Sequence, residues 1–475
     1  MVGDTIAAVA TPPGEGGIGI VRVSGPGARD VIKAVFFPRY GRGVDEWASH
    51  TLHLGTIIHP DDGREIDEAL VAWMVGPRTF TTEDVAEFHC HGGAVPVRET
   101  LTAVLRAGAR LAEPGEFSRR AFLGGRLDLA QAEAIIEVIR AKTRDGLGAA
   151  LSQLEGQLSR RIDQVRADIL ALLAHLEAMI DFPEEDLPDM GSERLRVTVV
   201  HIGKQIGDLV ERSRTGRVLR EGWRTVIAGR PNVGKSSLMN ALLDEQRAIV
   251  TEIPGTTRDA IEEYIDLGGI PLRIVDTAGI RETEDIVERI GVEKTREYLE
   301  KADLVLVVLD GSDGLNQEDE ALLRSLVDRP AVVLVNKSDL AIRRLDDVRL
   351  RSLVGKMPIL SVSAKEGWGL QELSDLIRSM VYGQDGSTVA GREGEGPVTR
   401  DGGRSALVTQ ARHREALERA DFHLRQALEA VDVGASPDFL TIDLKAAWEA
   451  LGEITGDTVG EDILDKIFSS FCIGK

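Results

Sequence analysis

A multidomain chain, part α+β and part α/β, is predicted by three observations on these 475 residues. Residues 1–122 alternate short β-rich runs with turns dense in Pro and Gly. Leu147, Leu151, Leu154, Leu158, Ile162, Val165, Ile169, Leu172, Leu176 and Ile180 step by three or four, the helical period. From residue 221 to 383, apolar runs ending in short polar or Gly-rich strings alternate with helical patterns, as in a doubly wound sheet. The length suggests about three domains.

In chain order, Thr5–Ala10 and Ile18–Val23 read as strands separated by the loop Thr11–Gly17, followed by strands Thr51–Ile58 and Ala69–Val75 and a helix over Val95–Ala107. Within Thr81–Gly93, a strand would place Glu87, His89 and His91 on one face and Cys90 on the other. Two histidines so spaced could ligate a metal, but no third ligand is evident nearby, and a solvated face is the expectation. The long helical stripe ends at Pro183, and a second helix buries Leu195, Val199, Ile202, Ile206 and Leu209. Because later helices can cover it, the stripe reads as a bundle core rather than a dimer seam. Gln384–Arg404 is Gly-rich without apolar periodicity, a connector. Leu417, Ala420, Leu424, Leu428 and Val431 resume a helical stripe, followed by Phe439–Leu451 and Ile463–Phe468. The expected domains are therefore 1–122, a helical half 123–220, an inserted α/β domain 221–383, the linker 384–404 and a second helical half 405–475.

Composition narrows the setting. A formal net charge of −21 argues against indiscriminate nucleic-acid binding, while a local basic patch stays possible within a Debye length. Two cysteines form no framework and, with no apolar run long enough to span a membrane and no signal-like start, point to the cytoplasm. Arg217, Arg220 and Arg224 cluster before the α/β domain and read as a solvated face.

The chemistry lies in the α/β domain. Gly229-Arg230-Pro231-Asn232-Val233-Gly234-Lys235-Ser236-Ser237 sits between the strand Thr225–Ala228 and a helix starting near Leu238, which is the setting a phosphate-binding loop requires. Lys235 would neutralise the β- and γ-phosphates and Ser236 would ligate Mg²⁺. Asp276-Thr277-Ala278-Gly279 closes an apolar run, so Asp276 can hold Mg²⁺ through water. Asn336-Lys337-Ser338-Asp339 closes another, and a carboxylate there accepts the paired N1–H and N2–H₂ donors that guanine has and adenine lacks. Ser363-Ala364 would cover the base. Together these strings imply a guanine-nucleotide domain. The position that often carries a water-orienting Gln is Ile280, so hydrolysis needs other help. Arg258 and Arg281 lie near, Thr257 is a candidate Mg²⁺ ligand, and Asn232 with carbonyls of Val250–Asp259 could cage a monovalent cation; a plain loop hydrogen bond for Asn232 stays equally open.

Asp4-Thr5-Ile6-Ala7-Ala8, Thr11-Pro12-Pro13-Gly14, Gly19–Gly25, Pro114-Gly115-Glu116-Phe117-Ser118, Leu127–Glu133, the nucleotide strings and Phe471-Cys472-Ile473-Gly474-Lys475 together resemble the bacterial tRNA-modification GTPases of the TrmE-Era-EngA-like family, over nearly the whole chain. The resemblance implies an N-terminal domain that dimerises and binds 5,10-methylene- or 5-formyl-tetrahydrofolate, with contacts carried over to Arg22, Glu87, Arg126 and Lys475. At 126 the family often has Lys, so the charge is kept and its geometry changed. It implies K⁺ ligands at Asn232, Thr251, Ile253 and Thr256, Mg²⁺ ligands at Ser236 and Thr257, and Glu288 as the carboxylate that orients water. It further implies a partner flavoprotein, MnmG (GidA), bringing FAD, a tRNA substrate, and addition of an aminomethyl or carboxymethylaminomethyl group to C5 of the wobble uridine. Cys472 could attack a uracil C6 as a thiolate, or it could simply pack among Phe468, Phe471 and Ile473. A ribosome-assembly switch is the competing reading, and a purely structural N-terminal domain a third.

Overall fold

The computed structural model describes residues 3–41, 43–181, 191–245, 263–275, 299–383 and 406–474. It divides into two compact units, Met1–Ile136 with Glu449–Lys475, and Glu137–Trp448.

In the first unit, β1 (Ile6–Val9), β2 (Gly16–Ser24), α1 (Ala28–Val35), β3 (Phe36–Pro38), β4 (Thr51–Ile58), β5 (Glu65–Met74), β6 (Val85–Gly92), α2 (Ala94–Arg106), β7 (Arg110–Leu111) and α3 (Glu116–Leu123) follow in sequence. The strands form one sheet in the order β3-β4-β5-β6-β2-β1-β7. Strand alternation sorts the residues. Val21, Val23, Val71, Trp73, Ala86 and Phe88 turn to one face and are buried with Val31, Ile32, Val35, Ala103 and Val104 of the two helices. Arg22, Glu87, Ile20, His89, Leu54 and Leu70 turn to the other, less buried face. At its β1 edge that second face is closed by Ile6, Ala8, Phe117 and Phe80.

The long helical stripe expected over Leu147–Ile180 is carried by two helices, α5 (Arg144–Leu154) and α6 (Gln157–Asp181), which follow α4 (Leu129–Arg140). Thr143 starts α5 as its N-cap, its hydroxyl accepting from Gly146 N at 3.2 Å. The leucine spacing stays in phase from Leu154 to Leu158 across Gly156, so periodicity could not register that break. Leu147 is 37% exposed, whereas Leu158, Ile162, Val165, Ile169, Leu172 and Leu176 of α6 are the buried part of the stripe.

The second unit continues with α7 (Ser192–Glu221), β8 (Trp223–Ala228), α8 (Lys235–Glu245), β9 (Glu263–Leu267), β10 (Ile270–Ile274), β11 (Leu304–Asp310), α9 (Gln317–Ser325), β12 (Ala331–Asn336), α10 (Asp347–Val354), β13 (Ile359–Ser361), α11 (Leu370–Tyr382) and α12 (Ala411–Asp432); α13 (Pro437–Thr455) crosses back to the first unit, which ends with α14 (Glu461–Ser469). The linker expected at Gln384–Arg404 falls outside the described residues. The sheet order is β13-β12-β11-β8-β10-β9, with only β9 antiparallel. Its central strands are apolar on both faces, as a sheet covered by helices on both sides must be.

The chain leaving α7 for this sheet and the chain returning to α12 run against each other. A Cβ on Gly216 of α7 would lie 2.1 Å from the Val408 carbonyl oxygen, so only glycine lets the strands of chain approach so closely. Around them the buried Glu137 carboxylate accepts from the Thr409 hydroxyl at 2.7 Å and the Gln410 amide at 2.7 Å, and Arg220 stands 3.6 Å away. Arg224 and Arg217 both pair with Asp303, at 2.9 and 3.6 Å. The three arginines read as a solvated face are thus structural ion-pair partners.

Candidate functional site

The candidate nucleotide site forms where the neighbouring strands β8, β11, β12 and β13 end, at the carboxyl edge of a parallel run of strands where ligands of such folds bind. Between β8 and α8 the loop turns through Asn232 at φ +64° and Gly234 at φ +99°. A Cβ on Gly234 would lie 2.2 Å from Asn336 Nδ2. Asn336 is the clamp of the site: its Nδ2 donates to the Val233 carbonyl at 2.9 Å and its Oδ1 accepts from Ala364 N at 3.0 Å. One buried amide thereby ties the phosphate loop, β12 and the loop after β13 into a single frame.

Lys235 Nζ donates to the Gly229 and Arg230 carbonyls, at 2.8 and 2.7 Å. Burial depresses its ammonium below the ordinary lysine range. A cation that, among the described residues, is held by neutral carbonyls under that penalty is suited to a phosphate, whose charge would offset the desolvation. Ser236 and Ser237 are exposed at the start of α8. Arg230 is drawn aside by Asp319 at 2.9 Å.

At the base end, the Ser363 hydroxyl donates to Asp339 Oδ1 at 2.7 Å, and this bond holds the Asp339 carboxyl below its usual range, ionised as an acceptor must be. Lys337 adopts φ +62° and its Nζ donates to Asp310 Oδ2 at 2.5 Å. Burial raises the Asp310 pKa, but Lys337 and the hydroxyl and N–H of Ser312 outweigh it and hold the carboxyl low. Asp310 escaped sequence analysis; its place at the end of an apolar strand, level with Asn336 in the register, was the available signal. Thr251, Ile253, Thr256, Thr257, Arg258, Asp276, Thr277, Ala278, Gly279, Ile280, Arg281 and Glu288 lie outside the described residues.

In the first unit, β2 and β6 set Arg22 opposite Glu87, and Arg22 Nε donates to Glu87 Oε1 at 2.8 Å. The Arg22 guanidinium lies 5.9 Å from the centre of the Phe80 ring and 5.8 Å from that of Phe117, while Arg126 lies 5.0 Å from Phe80. Three residues named from the sequence, Arg22, Glu87 and Arg126, are thus brought to one region: the two arginines lie over the Phe80 ring, which went unnoticed in the sequence, and Glu87 pairs with Arg22. Lys475 lies outside the described residues, but its neighbour Gly474 accepts from Arg22 Nη1 at 3.4 Å. Gly474 holds φ +93°, and a Cβ there would lie 2.3 Å from the Val9 carbonyl, so glycine is what admits the tail.

The N-terminal strings have a structural use. Arg120 donates to Asp4, Glu83 and Glu116 at 2.6 to 3.0 Å, and Arg110 grips Glu116 with both terminal nitrogens. This largely buried network fixes the Pro114–Ser118 turn, which takes the Cys472 carbonyl on Gly115 N. Cys472 itself is exposed and Ile473 is 52% exposed; Phe468 and Phe471 occupy the inward positions, so the reading of Cys472 as packed core is corrected. Cys90 is buried, with its thiol pushed up by burial. His91 pairs with Asp67 at 2.7 Å, and no group of three or more His, Cys, Asp or Glu side chains among the described residues could hold a metal.

Residues 5–126 match the family described as the GTP-binding protein TrmE N-terminus, and residues 129–472 match the MnmE helical domain. The chain is 86% identical over 475 residues, all of both chains, to the tRNA modification GTPase MnmE of Heliobacterium modesticaldum. It is 48% identical over 475 residues, again all of both, to that of Desulforamulus reducens, and 49% identical over 472 residues, 99% of each, to that of Alkaliphilus metalliredigens.

Proposed function

The chain belongs to the MnmE family of tRNA modification GTPases, and on that premise we propose that it is a K⁺-activated GTPase that, with the flavoprotein MnmG and its FAD, modifies C5 of the wobble uridine of certain tRNAs. The observation that carries the nucleotide half of this reading is the Asn336 clamp, which fixes a phosphate loop and a guanine-reading carboxylate in one frame.

In that frame the loop N–H groups and Lys235 bind the phosphates, Asp339 accepts from the guanine edge, and Ala364 closes over the base. Ser236 and Thr257 hold Mg²⁺, with Asp276 acting through water; Asn232, Thr251, Ile253 and Thr256 hold K⁺. Cations held by these residues would supply positive charge against the phosphates. Glu288 orients the attacking water, a task Ile280 cannot perform.

The N-terminal site is proposed to bind a tetrahydrofolate. The donor set fits: the Glu87 carboxylate, steadied by Arg22, can accept from a pterin donor edge, Phe80 offers a flat apolar face, and Arg126 and Lys475 provide cations for a glutamate tail. When bound, the folate supplies the one-carbon unit. The open sheet face beside Arg22 carries the exposed Leu52 and Leu70, an apolar surface that a second copy would cover. Cys472, at the surface, is free to meet a base, and a nucleophilic role for it is kept as part of this proposal.

Mass-spectrometric analysis of tRNA nucleosides, from a host lacking this gene and complemented with the intact protein or with Asp276→Ala, tests the function. C5-modified wobble uridines that return only with the intact protein support it. Modified uridines that persist throughout favour the assembly switch.

A further inference from the structure

A cleft of about 620 Å³ opens beside Phe80, walled by Met74, Thr82, Gly124 and Gly125 and by two guanidinium-bearing residues, Arg78 and Arg126. Among the described residues no carboxylate lines it, in a chain whose formal charge is −21. Neither guanidinium forms an ion pair with a described residue. Arg22, by contrast, is already neutralised by Glu87. Phe80 joins the two regions, because Arg22 and Arg126 lie over the same ring.

The loop bearing Arg78 is held in place before any ligand arrives. His50 Nε2 meets the Arg78 carbonyl at 3.0 Å, and the neighbouring Thr79 hydroxyl donates to the Glu83 carbonyl at 2.6 Å. The gradient from a neutral Arg22–Glu87 pair, across an aromatic face, to an uncompensated cationic cleft suits an elongated ligand with a hydrogen-bonding head and a run of carboxylates. A guanidinium fork matches a carboxylate in two hydrogen bonds, which a lone exposed arginine lacking a partner leaves unused.

We propose, resting on the folate reading above, that the Arg78–Arg126 cleft takes the γ-linked glutamate tail and makes this protein prefer folates carrying more than one glutamate. Arg126, stacked on Phe80, meets the carboxylates of the first glutamate; Arg78, on the outer wall, meets those that follow. Arg78 is then a specificity-determining residue for tail length rather than for the pterin.

Calorimetric titration of the full-length protein with 5-formyl-tetrahydrofolate, as the mono- and the triglutamate, tests this. At low salt the triglutamate is expected to bind roughly fivefold more tightly, the scale of one or two exposed charge pairs. The advantage should fade near 1 M salt, where the screening length is about 3 Å. Arg78→Ala should bring the ratio of the two affinities close to one, and Arg78→Lys should restore part of it. Equal affinities in the intact protein, or a ratio that survives Arg78→Ala, overturns the proposal. Failure of the monoglutamate to bind the intact protein would instead defeat the folate reading itself. If Arg78→Ala weakens tRNA binding while the tail preference persists, the cleft serves a nucleic-acid phosphate and the proposal is likewise overturned.

Discussion

The two candidate sites are assembled in opposite ways. The phosphate loop is a contiguous string, Gly229 to Ser237, whose shape is set by its own backbone and fastened by one buried amide, Asn336. The site about Phe80 draws Arg22, Glu87, Phe117, Arg126 and Gly474 from across the first unit, and Arg22 reaches a carbonyl 452 positions away. A locally encoded site survives disturbance elsewhere. One assembled from distant segments fails with any of the packing that brings them together, and the two sites should therefore fail independently.

The largest separation is expected from Gly234→Ala. The added methyl must adopt a backbone conformation that L residues avoid, against the amide that clamps the loop. Strain and a lost hydrogen bond together should weaken GTP binding by roughly a hundredfold or more while folate affinity is unchanged. Loss of both would mean that the sites are not independent. Second, GTP turnover in K⁺ should exceed that in Na⁺ at equal ionic strength by on the order of a hundredfold, the worth of one preorganised charge. Equal rates remove the cation assignment at Asn232.

Smaller effects probe the distant assembly. Phe471→Ala empties a buried position beside Phe468, with a core cost of about 3–5 kcal/mol, and should loosen the Gly474 contact. Folate affinity should then fall roughly tenfold, as it should in Arg22→Ala, with K⁺-stimulated GTP hydrolysis retained in both. The smallest effect is a pH dependence. The Asp310 carboxyl is held below its unfolded range, so its pairing with Lys337 stabilises the fold at neutral pH and is lost as pH falls through the depressed value. Denaturant midpoints of the intact protein should therefore drop on going below about pH 4, and Asp310→Asn should flatten that part of the profile.

What could be read from the sequence follows the same division. Gly229–Ser237 and Asn336–Asp339 were legible because each is a short string whose chemistry depends on neighbours in the chain. Phe80 was not, since nothing in Thr79-Phe80-Thr81 announces that two guanidiniums come to lie over its ring. Arg22, Glu87 and Arg126 were named through a family resemblance, not through any pattern of their own. The helical stripe misled at Gly156, where one helix gives way to the next between Leu154 and Leu158 without disturbing the apolar period. Cys472 was left open between a nucleophile and a packed residue because its apolar neighbours cannot tell which of them turn inward; Phe468 and Phe471 do, and the cysteine is exposed.

The side-by-side passage of Gly216 and Val408 bears on biosynthesis. Arg220 and the Thr409 carbonyl it holds are 189 positions apart, and Glu137 and Thr409 are 272 apart. Joining such ends through an unstructured loop would cost about 5 kcal/mol of chain entropy. A folded insert that returns the chain to its point of departure removes most of that cost. Translation order then sets a schedule: α7 emerges after α5 and α6, which cover part of its apolar stripe, the α/β sheet must close next, and only afterwards does α12 arrive to cover the rest. A slow-folding insert would prolong the interval in which that apolar stripe is exposed to aggregation, so variants that destabilise the sheet should be recovered as insoluble chains before any loss of nucleotide binding can be measured.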